Sequence, residues 1–160
     1  MSMEPGPDLS LRNPDRFVSE YRDDAGKLVL RVRVPQQEEG PVDFRWLPSQ
    51  PYLANGAFTV VRRLGNFEMY RQGTEELVNE FFPPLVLEAP YERADFSGVP
   101  EGRELTLAYF NNRSGFQGEW VPFSRQSMGG VAFQRLGDNR GGLLIALLYE
   151  WNGCEIACGG

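Results

Sequence analysis

The stretch from Phe81 to Phe123 constrains the fold more than any other part of the chain, because it carries three strand-like runs and the turn residues between them. Glu104 to Phe110 follows the period of an extended strand, with Leu105, Leu107 and Tyr109 on one face and Thr106, Ala108 and Phe110 on the other. Asn111-Asn112-Arg113-Ser114-Gly115 then supplies residues that tolerate positive φ, and Glu119-Trp120-Val121-Pro122-Phe123 returns, which predicts a hairpin. Upstream, Leu85, Val86 and Leu87 read as a short apolar strand whose start is set by Pro83-Pro84 and whose end is set by Ala89-Pro90.

The same pattern extends through the chain, where 18 glycines and 12 prolines are spread between alternating runs. Phe17–Tyr21 and Lys27–Val34 flank Asp23-Asp24-Ala25-Gly26 and predict a first hairpin, with Leu28, Leu30, Val32 and Val34 on one face. Arg31 and Arg33 lie opposite, on a face read as solvated, with an anion site as the alternative. Val42, Phe44 and Trp46 alternate with Asp43 and Arg45, and two further runs, Ala57–Leu64 and Asn66–Arg71, are split at Gly65. Thr74–Glu80 has the composition of a short helical turn, with a loop or strand as the alternative. Val131–Arg135 and Leu143–Tyr149 enclose Gly137–Gly142, again in the manner of a hairpin.

Together these runs predict an all-β chain, a single antiparallel β-sandwich of roughly nine or ten short strands. A chain of 160 residues suffices for one domain and buries roughly 70% of its unfolded surface. The domain is assigned to residues 15–160, and residues 1–14, with Pro5, Gly6, Pro7 and Pro14, to an extended N-terminal arm. Met1–Asp8 has neither the basic start nor the apolar stretch of a secretion signal, so the chain reads as cytoplasmic or as one whose leader has been removed.

Acidic residues outnumber basic ones 22 to 16 and the basic ones form no block, which argues against nucleic acid and against an anionic membrane surface. No apolar run approaches the roughly 20 residues of a membrane helix, so membrane insertion is not expected. The chain has no histidine, which excludes Ser-His-Asp and Cys-His catalysis and histidine-ligated metal sites from its own residues. Lys27, the sole lysine, falls in a turn, where it reads as a solvent charge rather than the base of a nucleophilic serine. No catalytic residue, cofactor or metal site is therefore assigned.

Cys154 and Cys158 would lie about 13 Å apart on an extended strand, too far for a disulfide. A turn between them would allow one, and Gly153, Gly159 and Gly160 would permit it. A terminal disulfide, unlinked thiols and a metal or redox role all stay open. Glu88, Asp95, Glu119 and Asp138 fall near turns and are candidates for paired acids, with surface solvation as the alternative. Asp23-Asp24 and Asp138-Asn139 read as ordinary turns, with calcium as the second choice. Trp46 and Trp120 are assigned to the core, whereas Phe116, Tyr91 and Tyr52 are candidate contacts for a protein partner or a glycan. Asn112-Arg113-Ser114 is formally a glycosylation acceptor.

The order Phe67-Glu68-Met69-Tyr70, Phe82-Pro83-Pro84-Leu85-Val86-Leu87, Tyr91-Glu92-Arg93-Ala94-Asp95, Glu104–Phe110 and Gly118–Phe123 resembles the ZU5-like, immunoglobulin-like β-sandwich modules of bacterial surface and secreted proteins. The resemblance covers residues 66 to 123 and, more loosely, 27 to 65. It implies an extracytoplasmic, non-catalytic module that spaces, displays or docks other parts, and it brings no catalytic residues. The expected function is thus a structural or protein-interaction subunit, engaging a protein partner or copies of itself through the arm or an exposed sheet edge. The alternative is a carbohydrate-binding module that uses turn aromatics.

Overall fold

The computed structural model describes residues 14–48, 54–111, 118–123, 133–151 and 155–160. In chain order its elements are β1 (Asp15–Arg22), β2 (Leu28–Pro35), β3 (Val42–Leu47), β4 (Ala54–Asn55), β5 (Val60–Arg71), β6 (Glu80–Glu92), α1 (Arg93–Ser97), β7 (Thr106–Asn111), β8 (Gly118–Pro122), β9 (Phe133–Asp138), β10 (Gly141–Glu150) and β11 (Glu155–Gly159). They form a five-stranded sheet in the order β1-β2-β6-β10-β9 and a six-stranded sheet in the order β3-β5-β11-β7-β8-β4. The all-β sandwich expected from the period-2 runs is thus the observed fold. Its ladders are antiparallel, with one short addition where the two-residue β4 pairs in parallel with β8.

The hairpins β1–β2 and β7–β8 form where alternation and turn composition place them, and β9–β10 forms with a tighter turn than expected, because Gly137, Asp138, Gly141 and Gly142 are paired strand residues. At the first turn, Asp23 Oδ1 accepts hydrogen bonds from the backbone N–H of Ala25 (3.0 Å) and Lys27 (2.9 Å), which makes it an Asp-stabilised turn. Asp138 Oδ1 does the same for Arg140 N–H at 2.8 Å. Between the sheets, Leu30, Val32, Leu85, Leu87, Leu144 and Ala146 of the first meet Phe67, Met69, Leu107, Ile156 and Cys158 of the second. Phe67 stacks between Phe44 and Trp151, both ring centroids 5.1 Å away, and the Trp151 indole N–H donates to the Phe67 carbonyl at 2.7 Å.

Three local expectations are corrected. Prolines 83, 84 and 90 do not bound the strand around Val86; β6 runs through them for 13 residues. Its ladder with β10 pairs Leu85–Glu92 and resumes only at Glu80, so Pro83 and Pro84 fall in the irregular gap. There the Gln37 side chain replaces the ladder, donating from Nε2 to the carbonyls of Pro83 (3.0 Å) and Pro35 (3.1 Å) and accepting from Phe82 N–H (2.9 Å). Pro90 turns its carbonyl to the Arg62 guanidinium at 2.9 Å, so its missing N–H interrupts no bond to β10.

Gly65 does not end a strand either. At φ 142° it forms a bulge inside the 12-residue β5, where the β11 register steps from Gly65 to Arg63. The Trp46 ring lies 3.7 Å from where a β-carbon would stand there. Thr74–Glu80 is not helical: Thr74 closes a bend on the Arg71 carbonyl and Leu77 makes a single bridge to Tyr70. Among the described residues no helix is long and apolar enough to cross a membrane.

Candidate functional site

The carboxylates nominated for chemistry do not converge on one another. Glu88, on β6, is 3% exposed and lies 3.5 Å from Arg31 Nη1 and 3.7 Å from Arg33 Nη1. Arg33 also donates to Asp15 at 2.9 Å and Arg31 to Glu20 at 2.8 Å, and Glu20 accepts from Arg22 at 3.0 Å. The face of β2 expected to be solvated therefore carries an alternating acid–base network across β1, β2 and β6. Asp95 accepts from Glu92 N–H at the start of α1 and receives the Arg62 fork, both nitrogens at 3.2 Å. Glu119 is exposed, and Asp138 serves its turn. Among the described residues no group of three or more acids and cysteines is placed to hold a metal ion.

Tyr91, expected as a surface contact, is corrected to a core residue. It is 2% exposed, its hydroxyl donates to the Asp138 carbonyl at 2.8 Å, and Arg135 lies 5.9 Å from its ring centroid. The latch holds the β9–β10 hairpin against β6. Tyr52, Phe116 and Asn112-Arg113-Ser114 lie outside the described residues. Trp46 packs against the inter-sheet core as expected, whereas Trp120 is buried apart from it, in a separate cluster with Ala108, Phe110 and Ala157, edge-on to Phe110 with centroids 5.4 Å apart.

Cys158 is a fully buried free thiol in the extended β11, hydrogen-bonded between β5 and β7, and burial pushes its pKa up to about 11. Because residues 155–159 are extended, the turn that a Cys154–Cys158 disulfide needs is not formed there. Cys154 itself lies outside the described residues.

Two surface features remain. One is a groove of about 400 Å³ at one end of the six-stranded sheet, walled by Phe58, Trp120 and Pro122 and rimmed by Arg103, Glu104 and Glu119. The other is the edge of β1. Among the described residues β1 pairs with β2 alone, and it carries two of the four exposed large apolar side chains, Val18 at 44% and Tyr21 at 45%. Its outer-face acids, Asp15 and Glu20, are drawn inward by Arg33 and Arg31, and the Arg31 hydrogen bond, then that of Arg22, holds the Glu20 carboxyl below the usual carboxylate range.

The other edges differ. β3 is overlaid by the turn after β5, through Gly73 N–H on Asp43 (2.9 Å) and the Arg45–Glu75 pair (2.8 Å). β9 carries none of the exposed large apolar side chains, and β4 has two residues. Register slips at Asp15/Phe17 and Tyr21/Arg22 leave Phe17–Tyr21 as the regular part of the β1 edge. Slips of this kind shorten a pairing edge and oppose open-ended aggregation. Compared with known proteins, the chain matches no family model, no curated protein sequence and no solved structure.

Proposed function

We propose that the chain is a non-catalytic structural or protein-interaction module, and that its partner adds a short strand to the edge of β1. The observation that carries this reading is the edge itself: a strand of the five-stranded sheet that, among the described residues, is paired on one side only, with Val18 and Tyr21 nearly half exposed and its acids turned toward β2. Strand addition would satisfy the outward backbone groups of Phe17–Tyr21 and cover both side chains. The use of Glu88 and Asp95 in arginine pairs also supports a structural rather than a catalytic role for those acids. An extracytoplasmic setting belongs to the same proposal and rests on the resemblance to bacterial surface modules.

The test is fractionation of an extract of the source cell containing tagged wild-type chain or the V18K/Y21K variant. Both substitutions fall on half-exposed positions, and a matched melting curve establishes that the variant is folded. Wild type in a complex well above 18.1 kDa, with the variant eluting as monomer, is the expected result. Identical complexes for both chains would overturn the assignment of the edge.

A further inference from the structure

The groove at the end of the six-stranded sheet lies on the opposite sheet from β1 and is independent of that edge. We infer that the groove beside β7 and β8 takes the lysine or arginine side chain of a basic peptide. Its volume, about 400 Å³, accommodates one long side chain. The wall is apolar and aromatic: Phe58 and Trp120 lie 6.4 Å apart at 31°, with Pro122 beside them and Phe110 packed edge-on behind Trp120. This wall suits the aliphatic stem of a long basic residue, which would lie along Pro122 and the half-buried Phe58, the one accessible aromatic ring of the groove.

The rim supplies the charge. Glu104 and Glu119 both line the groove, both are exposed, and neither has an ion-pair partner among the described residues. The groove's own cation, Arg103, hydrogen-bonds through Nη1 to the Ala57 carbonyl and forms no ion pair with either carboxylate. The chain's net charge of −6 adds long-range attraction for a basic partner. A sugar platform fits less well, because Trp120 is only 6% exposed and offers little face for stacking.

The probes are a blocked tripeptide, acetyl-Gly-Lys-Gly-amide, the same peptide with norleucine replacing lysine, and chitotriose. Each is titrated into isotopically labelled chain while the Trp120 indole and Thr106 amide resonances are followed. The lysine peptide shifts both saturably, the norleucine peptide binds about fivefold more weakly or worse, and the E104Q/E119Q variant loses affinity for the lysine peptide to the same degree. Added salt weakens the lysine peptide alone. Equal binding of norleucine and lysine peptides, preferential binding of chitotriose, or no saturable shift would each overturn the assignment. Both substitutions are at exposed positions, so the variant's fold, checked by its amide spectrum, is retained.

Discussion

Gln37→Leu removes the hydrogen bonds that hold β6 where Pro83 and Pro84 interrupt its ladder. The side chain is 7% exposed and makes three bonds, to Pro35 O, Pro83 O and Phe82 N–H, at 3.1, 3.0 and 2.9 Å. Leucine is similar in size, so the change deletes polar partners rather than opening a cavity. At about 1 kcal/mol per bond, with an unpaired Phe82 N–H left behind, the loss is about 3 kcal/mol. With a urea slope of about 2 kcal/mol/M, the midpoint falls by about 1.5 M while the slope is unchanged. Gln37→Glu keeps the acceptor for Phe82 N–H but turns a carboxylate toward two carbonyls, and is at least as destabilising at neutral pH. A midpoint shift below about 0.3 M for Gln37→Leu would refute the reasoning and leave the Glu80–Glu150 pairing as what holds this end of β6.

Cys158 remains inert to thiol reagents in the folded chain and reacts at the rate of unfolding. Its folded pKa of about 11 stands above the ordinary 9.0, so the unfolded chain releases the proton first. Stability relative to Cys158→Ala therefore falls as pH rises from about 9 to about 11, and equal pH dependence in the two chains would contradict this. Gly142→Ala would set a β-carbon 2.0 Å from the Leu136 carbonyl oxygen; the β9–β10 hairpin must shift, and a thermal midpoint within about 1 °C of wild type would contradict that packing. Phe67→Ala, at a 0% exposed position between two stacked rings, costs about 4 kcal/mol in urea titration, whereas Phe82→Ala, at 50% exposure, costs about 1 kcal/mol or less.

The hairpins were legible because their signal is local: alternation on either side of Asp23–Gly26, Asn111–Gly115 or Gly137–Gly142 needs no distant residue. Where partners are distant in sequence, no local signal marks them. A missing proline N–H is visible at Pro83, but Gln37, which compensates for it from the end of β2, is not. Arg31 and Arg33 look solvated until Glu88 arrives from β6. Tyr91, beside a proline and an acid, has the neighbours of a turn residue, yet its place opposite Gly142 in the β6–β10 ladder sends its hydroxyl to Asp138.

The candidate site was less legible still. An edge was expected to make the partner contact, but which strand would lie at an edge depends on sheet order, and neither Val18 nor Tyr21 was singled out. Their apolar character on either side of Ser19 is the local signal: a strand apolar on both faces and placed at a sheet edge leaves part of itself uncovered. In the groove, Glu119 is visible from the sequence as a carboxylate near a turn. Its neighbours Phe58 and Glu104 come from separate segments that only the β7–β8 pairing and the path into β5 bring together.

Amide hydrogen exchange along β1, compared between the isolated chain and the chain within its purified complex, tests the docking edge most directly. The account predicts that alternate amides of Phe17–Tyr21, those facing away from β2, exchange rapidly in the isolated chain and become protected in the complex, while β3 and β9 stay unchanged. Unchanged exchange along β1, or new protection confined to β3 or β9, would contradict it.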